Sequence, residues 1–254
     1  MKQILVAAAL IFSISVMHAQ GIKGIIKKAS TKDSGTGKTG IGNVISKATG
    51  TQLSTADVVS GLKEALAVGT QKSAEKLSAA DGFFKDAAIK ILLPPEAANV
   101  MATVSRFPGG SKMVDDAILS MNRAAEDAAK SAAPIFINAI KSMSINDAFG
   151  ILRGGDTAAT KFLRVTTTNS LTAAFRPVIQ NSLDRVNASQ LWNKVFSAYN
   201  RFSLQKVNPD LTAYVTDKAL VGMFHQVALE EQKIRKDPMA QTTDILKKVF
   251  GGKQ

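Results

Sequence analysis

Apolar residues recur along this chain at intervals of three and four. Val58, Leu62, Ala65, Leu66 and Gly69 share one helix face, and Ser54-Thr55-Ala56-Asp57 before them carries the side chains of an N-terminal cap. Glu96 to Arg106 reads as a short helix stopped by Pro108-Gly109-Gly110. Val114, Ala117, Ile118, Met121, Ala125 and Ala128 form the stripe of a long helix, which Pro134 kinks or restarts before Ile135 to Met143. Ser144 caps a short helix ending at Gly154-Gly155, and Asp156 caps another to about Thr167. A further helix spans roughly Ser170 to Val186, with a kink expected at Pro177. Asn187 opens a helix carrying Leu191, Trp192, Val195, Tyr199 and Phe202. Asn208-Pro209-Asp210 starts the last long helix, running to about Arg235. Its Ala219 to Leu229 stretch is apolar on nearly every side, which predicts a central position. Thr242 or Thr243 caps a closing helix through Phe250. Residues 83 to 93 fit a short helix and an extended segment equally well. With no alternating strand of useful length and no regular repeat, the pattern predicts an all-α fold. Residues 51–254 should form a single globular multi-helix domain of about nine helices.

The N-terminus breaks from this pattern. Lys2 precedes an uncharged, mostly apolar run from Ile4 to Val16, and small Ala19 offers a cleavage point. Residues 1–19 therefore read as a signal peptide, too short in its apolar run to span a bilayer. That predicts an exported protein, periplasmic or associated with the outer envelope, and peripheral rather than membrane-spanning. Residues 20–50 hold six Lys against one Asp and are rich in Gly, Ser and Thr, the composition of a flexible basic linker.

Composition adds two constraints. The chain has no Cys, which removes disulfides, thiolate metal sites and Cys nucleophiles. The formal net charge is +12 over 254 residues. Residues 141 to 206 hold nine basic and three acidic groups, the whole excess of the 51–254 domain. Such a distribution favours anionic partners, here lipid head groups or acidic polysaccharide of the envelope. Aromatics interleave with these cations (Phe162, Phe175, Trp192, Phe196, Tyr199, Phe202), but helical spacing makes them core positions, and export disfavours nucleic acid.

Four strings stand in a suggestive order: "SMNRAAE" (120–126), "GILRGGDTAAT" (150–160), "DLTAYVTDKALVGMF" (210–224) and "TTDILKKVF" (242–250). Over about residues 52 to 251 the chain closely resembles the bacterial family known as domain of unknown function 4197. The resemblance implies an exported helical protein and carries no activity, substrate or cofactor. Two features depart from the family pattern: the longer Lys- and Gly-rich tail, and His225.

Candidate chemistry is sparse. Ser34 to Thr39 looks like a phosphate-binding loop, but the first Gly that motif requires is replaced by Lys32, and no strand precedes it. His225 is the one His of the mature chain; a Ser/His/Asp triad would have to use it, but no G-x-S-x-G or other nucleophile turn occurs, and a single His is too few for a His-based metal site. Neighbouring acids such as Asp115-Asp116, Glu126-Asp127 and Glu230-Glu231 diverge by about 100° on a helix and read as solvated faces. Asp115, Asn122 and Glu126, by contrast, line one edge of an apolar stripe and either hydrogen-bond a neighbouring element or form a polar site. At Gly154-Gly155-Asp156-Thr157 the glycines can take positive φ, and Asp156 or Thr157 can cap the next helix. The freed N–H groups there could also hold an anion, with Arg164 two turns on. The candidate ligand-binding residues are thus Asn122, Glu126, Asp156, Thr157 and Arg164; none is assigned a catalytic or metal-binding role, and no cofactor is called for. The expected function is a non-enzymatic binding or envelope-associated protein with a basic surface. The alternative is a periplasmic hydrolase or lyase using Glu126 or Asp156 as general base.

The charge pattern predicts that the mature protein binds anionic vesicles, and that binding weakens as salt shortens the Debye length to about 8 Å near 0.15 M. Deleting residues 20–50 should weaken binding without abolishing it. Vesicle co-sedimentation over a salt series checks both. Binding carried wholly by residues 20–50, or indifferent to salt, contradicts the expectation.

Overall fold

The apolar periods fold into eight α-helices and one short 3-10 turn among the described residues. The helices are α1 (Thr55–Ser78), α2 (Ala98–Val104), α3 (Gly110–Ala129), α4 (Ala132–Lys141), α5 (Ile145–Arg153), α6 (Ala158–Asp184), α7 (Ala188–Phe202) and α8 (Leu211–Lys236), with the 3-10 turn at Pro95–Ala97. The computed structural model describes residues 54 to 236 except Ser203 and Gln205, all within one compact unit. The expected signal peptide, basic linker and closing helix at 242–250 lie outside the described residues.

Local chemistry sets the helix starts. Ser54 and Asp57 form a reciprocal capping box on α1, and Ser144 and Asp147 form another on α5. Each Asp bonds back to its Ser; the Ser144 bonds hold the Asp147 carboxyl below the usual carboxylate range. Asp210 accepts from the Ala213 N–H to start α8. Pro134 falls in the first turn of α4, so the chain restarts there rather than kinking.

One expected boundary is absent. The helices foreseen at 156–167 and 170–186 are one 27-residue helix, α6, with Pro177 inside it. The Thr166-Thr167-Thr168 run is a weak helix former. Its hydroxyls bond back to the carbonyls of Phe162, Leu163 and Arg164 at 2.9, 2.6 and 2.6 Å, so they fold along the helix instead of competing with it. Packing then overrides propensity. Ala159, Leu163, Thr167, Leu171, Phe175, Ile179 and Leu183 are all buried at a strict four-residue spacing. Four residues exceed one 3.6-residue turn, so this ridge winds around α6 and meets different neighbours along its length.

The long helices alternate in direction. Arg164 of α6 lies over Phe224 of α8, and Thr212 donates to Gln180, so α6 and α8 are antiparallel. Lys76 donates to Gln226 while Gly69 lies against Ile234, so α1 and α8 are antiparallel too. Helix α8 is packed by α1, α3, α6 and α7, close to the central place expected. It keeps one narrow exposed edge through Val221, His225 and Leu229. Phe136 of α4 meets Phe224 edge-on at 6.0 Å in the core.

Residues 79 to 94 adopt neither of the two conformations expected for 83–93. They form successive turns and then irregular chain, with Phe83, Ile89 and Ile91 buried. Phe83 enters the core because α8 has Gly222 opposite it. A Cβ at Gly222 would come within 2.5 Å of the Phe83 ring and 3.3 Å of the Ile89 Cβ. Gly222→Ala should therefore destabilise the protein by about 1–3 kcal/mol through overpacking. Gly150→Ala, at a position in α5 with open space around it, should stabilise by roughly 0.5–1 kcal/mol. Urea denaturation of the two variants checks the pair; equal midpoints would contradict the packing assigned to Gly222.

Candidate functional site

The polar row on α3 has a clear occupation. Asn122 is fully buried and grips one residue of the irregular segment: its Oδ1 accepts from the Ile91 N–H at 2.9 Å, and its Nδ2 donates to the Ile91 carbonyl at 2.8 Å. Glu126, also buried, accepts from the Phe83 and Phe84 N–H groups at 3.1 and 3.2 Å on one oxygen. Its other oxygen accepts from Arg123 at 2.6 Å, and Arg123 reaches on to Asp81 at 2.7 Å. Lys85 and Arg123 hold the Asp81 carboxyl below its ordinary range, and Asp81 itself sits at φ +68°. Asp115, at the far end of the row, is exposed. Of the two roles open to this edge, it performs hydrogen bonding to a neighbouring element. Glu126 is also no solvated face, contrary to expectation.

The Gly154-Gly155 corner is built differently from its expected form. Gly154 is extended at φ −76°, and the one positive-φ glycine among the described residues is Gly109. Gly154 is required for space instead, since a Cβ there would lie 2.5 Å from the Ala158 Cβ. Thr157 occupies the cap position of α6 but makes no capping bond, and Asp156 is exposed and pairs with Lys236 at 3.0 Å. The cap comes from α8. Buried Glu231 accepts from the Ala159 and Thr160 N–H groups at 2.9 and 2.8 Å and from the Thr160 hydroxyl at 2.8 Å. Glu231 was expected on a solvated face; it is the anion held at this helix start. Arg235 pairs with it at 2.8 Å and donates to the Ile151 carbonyl at the end of α5. The foreseen anion site is therefore filled by the chain itself. Arg164 lies 4.6 Å from the centre of the Phe224 ring rather than at that corner. Asn122 and Glu126 on the one hand, and Asp156 and Thr157 on the other, are not brought together.

An apolar cleft lies elsewhere, between α3 and α7 at the C-terminal end of α6. Its volume is about 670 Å³, within the range of roughly 300–1,000 Å³ usual for small-molecule sites. Met113, Val114, Ala117 and Met121 of α3 face Leu191, Trp192 and Val195 of α7 across it. Four of the apolar residues lining it remain open to solvent: Met113 at 59%, Val186 at 55%, Leu191 at 53% and Val195 at 39% exposure. The α7 stripe was expected to be core, but only Trp192 and Phe196 are buried, and Phe202 is almost wholly exposed. Helix α7 packs on α6 and α8 and stands off from α3, which opens the cleft. The Trp192 indole N–H donates to the Asn208 carbonyl at 3.0 Å, fixing the ring at the cleft wall. Polar groups line it sparsely. Asp127 bonds to Lys130 at 2.9 Å and Ser182 at 3.1 Å; the Lys130 bond chiefly holds its carboxyl below the usual range. The sequence marks the apolar stripes of α3 and α7 but carries no signal that part of each is left uncovered. Among the described residues no three His, Asp or Glu side chains converge as a metal site, and no helix is long and apolar enough to cross a membrane.

The protein is thus an all-α helical bundle with an irregular segment clamped in its core and an apolar cleft at one end. The chain belongs to the family described as protein of unknown function (DUF4197), whose model matches residues 52–251. No curated protein and no solved structure matches it.

The corner yields a direct stability expectation. Glu231→Gln places an amide N–H₂ where donors already converge and takes the Glu231 charge away from half-buried Arg235. It should cost about 3–5 kcal/mol, against less than about 0.5 kcal/mol for Glu64→Gln on the exposed face of α1. Denaturant titration checks this; a Glu231→Gln variant as stable as the parent would contradict the cap.

Proposed function

We propose that this is a non-catalytic, exported helical binding protein that takes an apolar chain into the cleft between α3 and α7. The observation that carries the reading is the open apolar wall of Met113, Val186, Leu191 and Val195. Exposed apolar surface collected in one concave site is the usual mark of a ligand or partner. The methionines suit it, since their unbranched side chains adapt to ligands of varied shape. The apolar run and Ala19 of the first 19 residues support export. The carboxylates considered for hydrolysis are otherwise engaged: Glu126 accepts three bonds in the core, and Asp156 forms an ion pair at the surface. The seven cations from Arg153 to Arg201 run from the end of α5 along α6 and α7. They support docking on an anionic surface less directly, since Arg176 is paired with Asp210 at 2.6 Å.

Trp192 is the single tryptophan of the chain and lines the cleft, so it reports on occupancy. Titration with the apolar fluorophore N-phenyl-1-naphthylamine should give saturable energy transfer from Trp192 at one probe per chain. Ala117→Phe, which fills the cleft from α3, should weaken it at least tenfold. Absence of saturable transfer, or equal binding by Ala117→Phe, would contradict the reading.

A further inference from the structure

Resting on that reading, we infer that the cleft's ligand is a single-chain anionic amphiphile, with its head group at Arg185 and its tail along the Met113–Met121 wall of α3. The charges around the cleft decide the sign of the head. Asp116 is matched by Lys112 at 2.7 Å, and Arg123 by Glu126 and Asp81. Asp127 is matched by Lys130 at 2.9 Å and bonded by Ser182. Arg185 lies near enough to Asp127 to help lower its pKa, yet its side chain is exposed and makes no ion pair or hydrogen bond among the described residues. Asp127, Lys130 and Arg185 together leave one positive charge uncompensated, and it lies where the apolar wall meets solvent. A guanidinium offers a planar fork of donors that fits a carboxylate or phosphate on both oxygens.

The cleft is also amphipathic in the right order. Of its polar lining groups, Asp127, Ser182 and Arg185 gather at the C-terminal ends of α3 and α6; Asp116, Ser120 and Arg123 also line it, Asp116 and Arg123 each engaged in ion pairs, while Met113, Val114 and Ala117 supply hydrocarbon toward the start of α3. A chain laid along α3 from Asp127 to Met113 passes from charge to hydrocarbon over roughly 21 Å, taking 1.5 Å per residue. Both ends of the described chain leave the bundle away from this site. Lys236 is held at the start of α6 by Asp156, about 40 Å of helix from Arg185, and α1 begins at the same end. The adjoining segments 20–50 and 237–254 both carry net positive charge, so an anionic ligand from solution matches Arg185 better than they do.

The test compares three probes of equal chain length on the full mature protein: decanoate, decanol and decyltrimethylammonium, each below its aggregation concentration. Each displaces N-phenyl-1-naphthylamine, and Trp192 emission is the readout. Decanoate should compete about tenfold better than decanol, the order expected of one charge-assisted bond at a half-exposed site. Decyltrimethylammonium should compete worst. In Arg185→Gln the decanoate affinity should fall to that of decanol, whereas Lys161→Gln, at the far end of α6, should keep the preference. Equal competition by acid and alcohol, better competition by the cation, or a preference that survives Arg185→Gln overturns this inference and leaves the apolar cleft standing. Failure of the fluorophore itself to bind overturns both. So does a dimer that Val195→Glu converts to monomer while no amphiphile binds, because the cleft is then an interface between two copies.

Discussion

A helical bundle has little to offer a buried segment that is not helical, because its backbone carbonyls are already spent within the helices. Residues 79 to 94 are such a segment, and the fold depends on how their N–H groups are paired. Asn122 and Glu126, one turn apart on α3, take three of them and return a bond to the Ile91 carbonyl. Tyr214 of α8 adds a bond from its hydroxyl to the Leu92 carbonyl at 2.7 Å. Gly222 completes the arrangement by letting Phe83 approach the α8 backbone. Buried side-chain amides and carboxylates are costly unless fully bonded. Here the segment supplies most of those bonds, and Arg123 and the Ile118 carbonyl of α3 complete them.

This division of labour explains why α3 serves two purposes. One of its faces clamps the irregular segment; the adjacent face, through Met113, Ala117 and Met121, borders the cleft. Arg123 joins the two, lining the cleft while bonding Glu126 and Asp81. The irregular segment itself supplies Leu93 to the cleft wall. The cleft wall and residues 81 to 93 are therefore in direct contact. At the opposite end of the bundle, Glu231 and Arg235 tie α8 to the start of α6 and the end of α5. The two ends thus differ: one is closed by an ion pair, the other is open and apolar.

Much of the helical framework was legible in the sequence, because burial follows the 3.6-residue period wherever a helix has one neighbour along one face. Val58, Leu62, Ala65, Leu66 and Gly69 are all buried as their spacing implies. Both capping boxes form where Ser and Asp stand three apart. The break foreseen within α6 failed because threonine hydroxyls and a four-residue ridge outweigh weak local propensity. The glycine corner was misread because Gly154 answers to the Ala158 Cβ, and because the cap comes from Glu231, more than seventy residues away. No local spacing carries such a partner. The cleft was hidden for a related reason: periodicity marks which face of a helix is apolar, but not whether a neighbour covers it. The stripe of α3 is half-buried at Val114, Ala117 and Ile118 and fully buried only from Met121 onward.

Whether the space between α3 and α7 receives an apolar chain from outside can be read from methyl NMR of the methionines with a nitroxide-labelled stearate. Met113 and Met121 line the cleft, while Met143 and Met223 are buried in the core away from it. The Met113 and Met121 methyl signals should broaden saturably with the labelled stearate while those of Met143 and Met223 persist. Broadening shared equally by all four, or confined to Met143 and Met223, would contradict it.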